Sequence, residues 1–414
     1  MWRIDRWLRS RNLPTIVLAG LAVVVAALYA PSIAAPFQGD DFNWLRYLIF
    51  RFPALLDGRE WDIFLTPFME PGAWILFRPG FQLLFLMDYT AWGLNPFGYH
   101  LTNVVLHILT AFLVFVLGKQ LTHNRLVAIV AGVLFAVMPI HVEAVAWFAA
   151  RADGLSALWF LISLVFYVSY RERNRISFLI FSVVAFAMSL LAKEASVTLP
   201  VMLALYDWLY QRDRRTGIWN LFAPEIPAWL TLTSYLALRL FLLGSFSNYV
   251  GGQLLHANLG YFSSIYLTAL TDPFLPDVMA GMQVALIALG VVALIAFRSR
   301  RAVFFGLIWL IVTILPSVSS LDGLLFDRFA YLPTVGLALV LATVLAQPSD
   351  RLVVWARAVV LGALILLVVA YSVALYNRNG EYTRSAEVTR LVTEQIHALH
   401  PTLPADARLY IKGL

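Results

Sequence analysis

Two adjacent acids, Asp40 and Asp41, stand just past the first long apolar run, in Phe37-Gln38-Gly39-Asp40-Asp41-Phe42-Asn43-Trp44. A carboxylate drawn to mid-bilayer costs roughly 2.5–3.5 kcal/mol, so the pair belongs at an interface or in a wet cavity. Such a pair either stops and caps a helix or supplies a general base to a substrate presented at the membrane surface. Further charges come in close pairs: Arg151 with Asp153, Lys193 with Glu194, and Asp327 with Arg328. Arg78 precedes Pro79, and His141 and Glu143 follow Pro139. Cations of this kind suit a phosphate, arginine most of all, because its planar fork pairs with phosphate oxygens.

Each group also has a plainer reading. His141 and Glu143 are ordinary loop polar residues, Lys193-Glu194 is a turn between helices, and Asp327 complements a helix dipole. His100, with Asn103 and His107, makes a polar stripe on an apolar helix that serves as glue between helices. His141 and Glu143 lack a third partner at helical spacing, so no metal site is expected. The absence of cysteine rules out a disulfide, a thiolate nucleophile or a Cys-ligated metal.

The elements that must position these residues are membrane spans. Of the 414 residues, 61% are hydrophobic and 13% charged, and mean hydropathy is +0.78. A soluble domain is about half apolar and about a quarter charged. The net charge of +6 is dispersed between apolar runs, which argues against nucleic acid as a partner. The N-terminus is basic like a signal peptide, but the apolar run after it, about 22 residues, is long enough to span and reads as an uncleaved helix.

The predicted fold is an all-α polytopic membrane domain over 1–376 with about eleven transmembrane helices. They lie near 14–35, 98–118, 126–145, 154–170, 176–192, 196–210, 226–243, 280–297, 302–318, 329–347 and 354–376. A long first outer loop, about 36–97, carries Trp44, Trp61, Trp74 and Trp92, residues suited to interfacial helices. A second outer loop covers about 244–279, within which 259–270 suits a short re-entrant or surface helix. The remainder, 377–414, is a short amphipathic tail.

Basic clusters fall in every second loop: Arg3 to Arg11, Lys119 and Arg125, Arg171 to Arg175, Arg212 to Arg215, Arg298 to Arg301, and Arg351. The positive-inside bias then makes the N-terminus cytoplasmic and puts the Asp40-Asp41 loop and the tail on the other side. The cations that run against the bias include Arg78, Arg151, Lys193, Arg239 and Arg328. They share that outer face with most of the acids, and ionisable groups at membrane depth mark functional sites.

Five stretches, taken in order, resemble one family. They are the acidic pair, "RPGFQLLFLMDYTAWGLNPFGYHLTNVVLH" (78–107), "FAVMPIHVEAVAWFAARAD" (135–153), "LLAKEASVTLP" (190–200) and "DRFAYLPTVG" (327–336). The set is similar to the membrane part of the transmembrane and TPR-repeat-containing O-mannosyltransferases and their bacterial relatives, within the GT-C glycosyltransferases. The family's acidic pair falls on Asp40 and Asp41, its His-Thr-Glu-Ala-Val segment on His141 to Val145, its Gly-Arg-Ala-Asp on Ala150 to Asp153, and its Lys-Glu on Lys193 and Glu194. Met138 and Val142 depart from the pattern, standing where His and Thr are common.

The resemblance implies a hexosyltransferase that moves a sugar, mannose in the protein O-mannosyltransferases, from a polyprenyl-phosphate donor, with a first-loop acid as base. The acceptor hydroxyl belongs to a protein, a glycan or a lipid headgroup. Asp40 is the expected base, and Asp41 orients a neighbour or shares the role. The donor phosphate is expected to meet Arg151 first, then Lys193 and Arg328, with Arg78 further out. His100, His141, Glu143, Asp153 and Glu194 support them. One base and an in-line displacement predict inversion, and no cofactor or divalent metal is expected. The chain is expected to be an integral multi-pass protein, of the plasma or inner membrane if bacterial, with membrane lipids around it. A transporter or flippase, or an inactive lipid-binding scaffold, is the alternative. The geometry that decides is convergence of the acidic pair with those cations around a bilayer-facing hollow.

Overall fold

The computed structural model describes residues 11–46, 49, 68–70, 74–212, 217–244, 300–318, 327–346, 354–399 and 402. Helix α1 (Leu13–Ile33) starts with Pro14 in its first turn, and its 21 residues rise about 32 Å, enough to span a bilayer. In the first outer loop a two-stranded antiparallel hairpin, β1 (Phe68–Glu70) with β2 (Trp74–Leu76), pairs Met69 with Ile75. Helix α2 (Pro79–Trp92) follows, exposing Leu83, Met87 and Trp92 while burying Phe81, Phe85 and Asp88.

Side-chain caps set the next boundaries. Asn95 caps α3 (Pro96–Thr122) by accepting from Phe97 N at 3.1 Å. Asn124 caps α4 (Arg125–Val137) through Leu126 N at 2.9 Å. These bonds satisfy amides that have no partner in the helix itself. Pro139 breaks the span predicted near 126–145, so α4 and α5 (Val142–Ala146) meet at a 52° bend. Among the described spans helix α6 (Arg151–Arg173) is the most enclosed, with most of its side chains buried. It pairs with α7 (Ile176–Ala192) and packs on α3.

The span predicted at 196–210 is irregular. It comprises a 3-10 turn over Glu194–Thr198, a short α8 (Leu199–Tyr206) and a π turn over Asp207–Gln211. Then come α9 (Ile218–Phe222), α10 (Ile226–Leu243), α11 (Arg301–Val318) and α12 (Thr334–Ala346). The last helix, α13 (Val354–Leu399), runs 46 residues without the break expected near 377. It packs against α1 and α5, so the stretch predicted as a tail leans on the bundle.

Among the described residues five helices are long and apolar enough to cross a membrane, six with the bent pair, and three shorter apolar helices accompany them. The predicted span at 280–297 and the stretch 259–270 lie outside the described residues. Helices of this length and composition make a multi-pass integral membrane protein.

Close backbone approach fixes one helix pair. A Cβ on Gly306 would sit 2.7 Å from the Gly336 carbonyl oxygen, and one on Gly336 would meet Gly306 and Trp309 in turn. Trp309 Nε1 donates to Leu332 O at 2.8 Å beside this crossing. Small residues at such crossings let two backbones touch. Gly336→Ala is therefore expected to cost about 1–3 kcal/mol by overpacking, visible as a lower Tm in detergent.

Candidate active site

The chain leaves α1 through Gly39, which takes φ +55°, and turns into a short helical stretch at 41–46. That turn points the two acids differently. Asp40 is exposed. Asp41 has no exposed surface: its carboxylate accepts from Gln38 N at 2.9 Å and from Ala149 N at 3.1 Å. The second bond joins the first outer loop to the entrance of α6, 108 residues on.

Burial pushes the Asp41 carboxyl up to about 8, against the two N–H donors and the nearby Arg151 and Trp147, which favour the charged form. The folded protein thus keeps a proton that an unfolded chain would release near 3.8. Stability from this group is whole below about pH 4 and falls as pH rises toward 8, with a limiting slope of about 1.4 kcal/mol per pH unit. Above pH 8 the slope ends. The difference in Tm between the protein and Asp41→Asn should follow this curve from pH 5 to 9; a difference independent of pH would show that Asp41 is ionised throughout.

Arg151 is wholly buried. It forms an ion pair with Asp88 of α2 and donates to Tyr99 O at 2.9 Å and to Phe148 O at 3.2 Å. Its guanidinium carbon lies 5.3–5.9 Å from the ring centres of Phe148, Tyr99 and Phe85. Thr102 Oγ1 donates to the other Asp88 oxygen at 2.8 Å. The residue expected to meet the donor phosphate first is instead boxed in between α2, α3 and the start of α6.

The remaining cations are closer to the surface. Arg328 pairs with Glu143, whose other oxygen accepts from the Arg328 backbone N–H at 3.0 Å. Lys193 Nζ meets Asp153 at 2.5 Å. Arg78 pairs with Glu194 in a two-pronged contact of 2.6 and 3.1 Å. Side-chain exposure separates them, with 17% for Arg328 and 16% for Arg78 but 5% for Lys193. Burial lowers the Lys193 ammonium below the usual lysine range, although Asp153 works the other way. Burial alone would raise Glu194, but the charges and hydrogen bonds of Arg78, with Arg239 and Lys193, hold it below the usual carboxylate range.

Aromatic rings tie these groups together. Lys193 Nζ is 4.6 Å and the Arg328 guanidinium carbon 5.2 Å from the centre of Phe329. Arg328 is also 5.2 Å from the Trp147 ring, and Trp147 lies beside the Asp41 carboxyl. Asp41, Trp147, Arg328, Phe329 and Lys193 therefore form one continuous cluster at one end of the bundle, and Asp40 precedes Asp41 on the same turn. A cavity of about 430 Å³ lies elsewhere, among the ends of α3, α6 and α11, and none of these groups lines it.

The histidines face inward. His141 is fully buried, with Nε2 2.7 Å from Thr334 Oγ1 and its ring among Phe135, Tyr331 and His107. It holds α12 to the bend after α4 rather than facing a loop. His100 is buried beside the backbone of Ala35 and Ala146. Among the described residues no group of three His, Asp or Glu is placed to hold a metal ion.

Two contributors escaped the sequence reading. Asp88 lies within the stretch 78–107, and nothing in the sequence signals that it meets Arg151. Tyr382 of α13 stands within electrostatic reach of Asp41, Glu143 and Arg328 and beside the Gln38 side chain. Its helix is anchored by Asn379 Nδ2, which donates to Leu28 O at 3.1 Å, and by Arg378, 3.3 Å from Asp327. The polar run that follows the apolar part of α13 was the available signal.

A family model described as dolichyl-phosphate-mannose-protein mannosyltransferase matches residues 86–244. The architecture matches ArnT from Cupriavidus metallidurans, solved bound to undecaprenyl phosphate, with a TM-score of 0.59 at 14% identity over 98% of this chain and 84% of that one. It matches the Archaeoglobus fulgidus oligosaccharyltransferase with a TM-score of 0.59 at 12% identity over 90% and 56%. The fold of the chain is like that of these two proteins. The motif resemblance to O-mannosyltransferases is met by sequence as well. The chain is 33% identical over 198 residues to the protein O-mannosyl-transferase Tmtc1 of Drosophila melanogaster, covering 46% of this chain and 23% of the relative. It is 32% identical over 192 residues to human TMTC2, covering 44% and 22%. The alignments thus span under a quarter of the length of those curated relatives. The chain is thus GT-C-like in fold and similar in sequence, over part of its length, to protein O-mannosyltransferases.

Proposed function

We propose that this protein transfers a hexose, mannose by likeness to the matched family model, from a polyprenyl-phosphate donor to a hydroxyl on the non-cytoplasmic side. The observation that carries the reading is the outer-end cluster, in which an acidic turn is held against α6 beside a partly exposed arginine. The lysine on the far side of Phe329 completes it. The donor's phosphate stays at headgroup depth, which is where helix ends meet the interface. Its charge needs neutralising as it leaves, and Arg328 is the cation assigned to that task. Arg151 gives up the role because its donors are committed to Asp88, Phe148 and Tyr99. Lys193 adds charge from the other side of Phe329, and Arg78 lies further out.

Asp40 takes the proton from the acceptor hydroxyl. The acceptor oxygen bonds to the anomeric carbon from the face opposite the phosphate, and the C–O bond to phosphate breaks with its electron pair. One displacement inverts that centre. Guanidinium and ammonium meet the phosphate charge, so the mechanism calls for no divalent ion. Asp41 is a positioning residue that pins the acidic turn to Ala149. The side assignment draws support from the basic ends of α3 and α6, at Lys119 and Arg171 to Arg173, which lie at the opposite end of those helices from the cluster. A protein hydroxyl is the first acceptor to test, because the named relatives are protein O-mannosyltransferases.

The test is donor consumption by the purified chain in lipid nanodiscs, given polyprenyl-phosphate mannose and a Ser/Thr-rich peptide. Arg328→Ala is expected to raise KM for the donor about 10- to 100-fold, the worth of a charge-assisted hydrogen bond. Arg328→Lys should recover only part of it. No turnover by the unmodified protein with any hydroxyl acceptor would reject the reading.

A further inference from the structure

At the opposite end of the bundle from Asp40, a cavity of about 430 Å³ opens among the ends of α3, α6, α8, α11 and α12. Volumes of this size are typical of small-ligand sites. Arg300 and Arg301 line it at the start of α11, where a helix N-terminus also favours negative charge. Glu172 also lines it and offsets one of the two positive charges, leaving the lining net cationic.

The rest of the lining is built rather than incidental. Tyr210 and Gln211 belong to the π turn, a feature found often at functional sites. That turn is held by a buried ion pair between Asp207 and Arg171 at 2.8 Å, and Tyr167 donates to the same carboxylate at 2.6 Å. The Tyr210 hydroxyl and Gln120 Oε1 are buried with no hydrogen-bond partner among the described residues. Buried polar atoms are rarely left so, unless a bound molecule supplies the partner.

We propose that this cavity binds a phosphate ester presented at the membrane face opposite the transfer cluster. Arg300 and Arg301 would hold the phosphate, and Tyr210 and Gln120 the polar part of the headgroup. The ester belongs either to a membrane phospholipid or to a soluble metabolite, and the proposal does not depend on the sugar-transfer chemistry.

The test uses the full chain in a neutral detergent, titrated with short-chain phosphatidylglycerol, with glycerol 3-phosphate, and with short-chain phosphatidylcholine. Saturable binding of phosphatidylglycerol or glycerol 3-phosphate is expected, at least tenfold tighter than phosphatidylcholine. Binding of the lipid alone identifies a headgroup site; binding of both probes identifies a site satisfied by the soluble ester. Arg300→Gln with Arg301→Gln should weaken binding at least tenfold, while Glu172→Gln tightens it severalfold. If the double variant does not fold, Glu172→Gln and Arg301→Lys carry the test, the latter weakening binding through loss of the fork. Equal binding of the zwitterionic lipid, no binding of either anionic probe, or affinity unmoved by these substitutions would overturn the proposal.

Discussion

Replacing Asp40 by Asn should reduce sugar transfer by about 100- to 10,000-fold, the range that a positioned general base contributes, and leave the protein folded. Asp40 lies exposed on the turn after Gly39, so an isosteric amide disturbs little, and exposed substitutions of this kind usually shift stability by under about 0.5 kcal/mol. What the amide cannot do is accept the proton from the acceptor hydroxyl. Asp41→Asn separates the two acids. Both Asp41 oxygens face backbone N–H groups, and an amide NH2 in their place opposes one donor with another, a loss of about 1–3 kcal/mol. The pair of variants therefore gives opposite patterns: lost turnover with unchanged Tm for Asp40, lowered Tm with partial loss of turnover for Asp41. Full turnover in Asp40→Asn would remove the base from that residue. Unchanged Tm with no turnover in Asp41→Asn would move the role one position along.

Most of the described spans were legible in the sequence because a bilayer imposes one simple constraint on the chain, about twenty apolar residues between polar turns. The caps at Asn95 and Asn124 were not read from the sequence, and the stretch that read as one span at 126–145 is interrupted by Pro139. The acidic pair stood out for the same reason, as the first polar groups after an apolar run. Depth in the membrane can be read this way, but lateral facing cannot. Nothing in the string says that Asp88 reaches Arg151 across 63 positions, or that His141 turns inward to Thr334 while its neighbour Glu143 turns out to Arg328. Those partners depend on how helices rotate against one another, and a few tens of degrees of rotation exchange a surface group for a buried one. The last helix shows a different limit. Polar residues after Asn377 read as a new segment, yet helix propensity carries α13 straight through, and packing against α1 and α5 rewards it for continuing.

Arg151→Met should be the most damaging single change to stability, by about 3–5 kcal/mol, because removing one partner of a buried ion pair leaves the other charge without compensation. Asp88 is 5% exposed and retains only the Thr102 hydroxyl, while the Tyr99 and Phe148 carbonyls each lose a charged donor. Arg151→Lys should fare nearly as badly. A single ammonium cannot reach Asp88, Tyr99 O and Phe148 O at once, nor lie flat among three rings as the guanidinium does. Arg151→Met with Asp88→Asn should recover part of the loss, since the unpaired charge has gone even though the packing has not been restored. These outcomes distinguish a structural pin from a phosphate clamp. A clamp predicts that Arg151→Lys keeps its Tm and raises KM for the donor, with Asp88→Asn having little bearing on it. A pin predicts that Tm falls in both single variants and that the two substitutions are strongly non-additive. The second pattern leaves phosphate recognition to Arg328 and Lys193, whose side chains lie on the rings of Trp147 and Phe329 at the outer edge of the bundle.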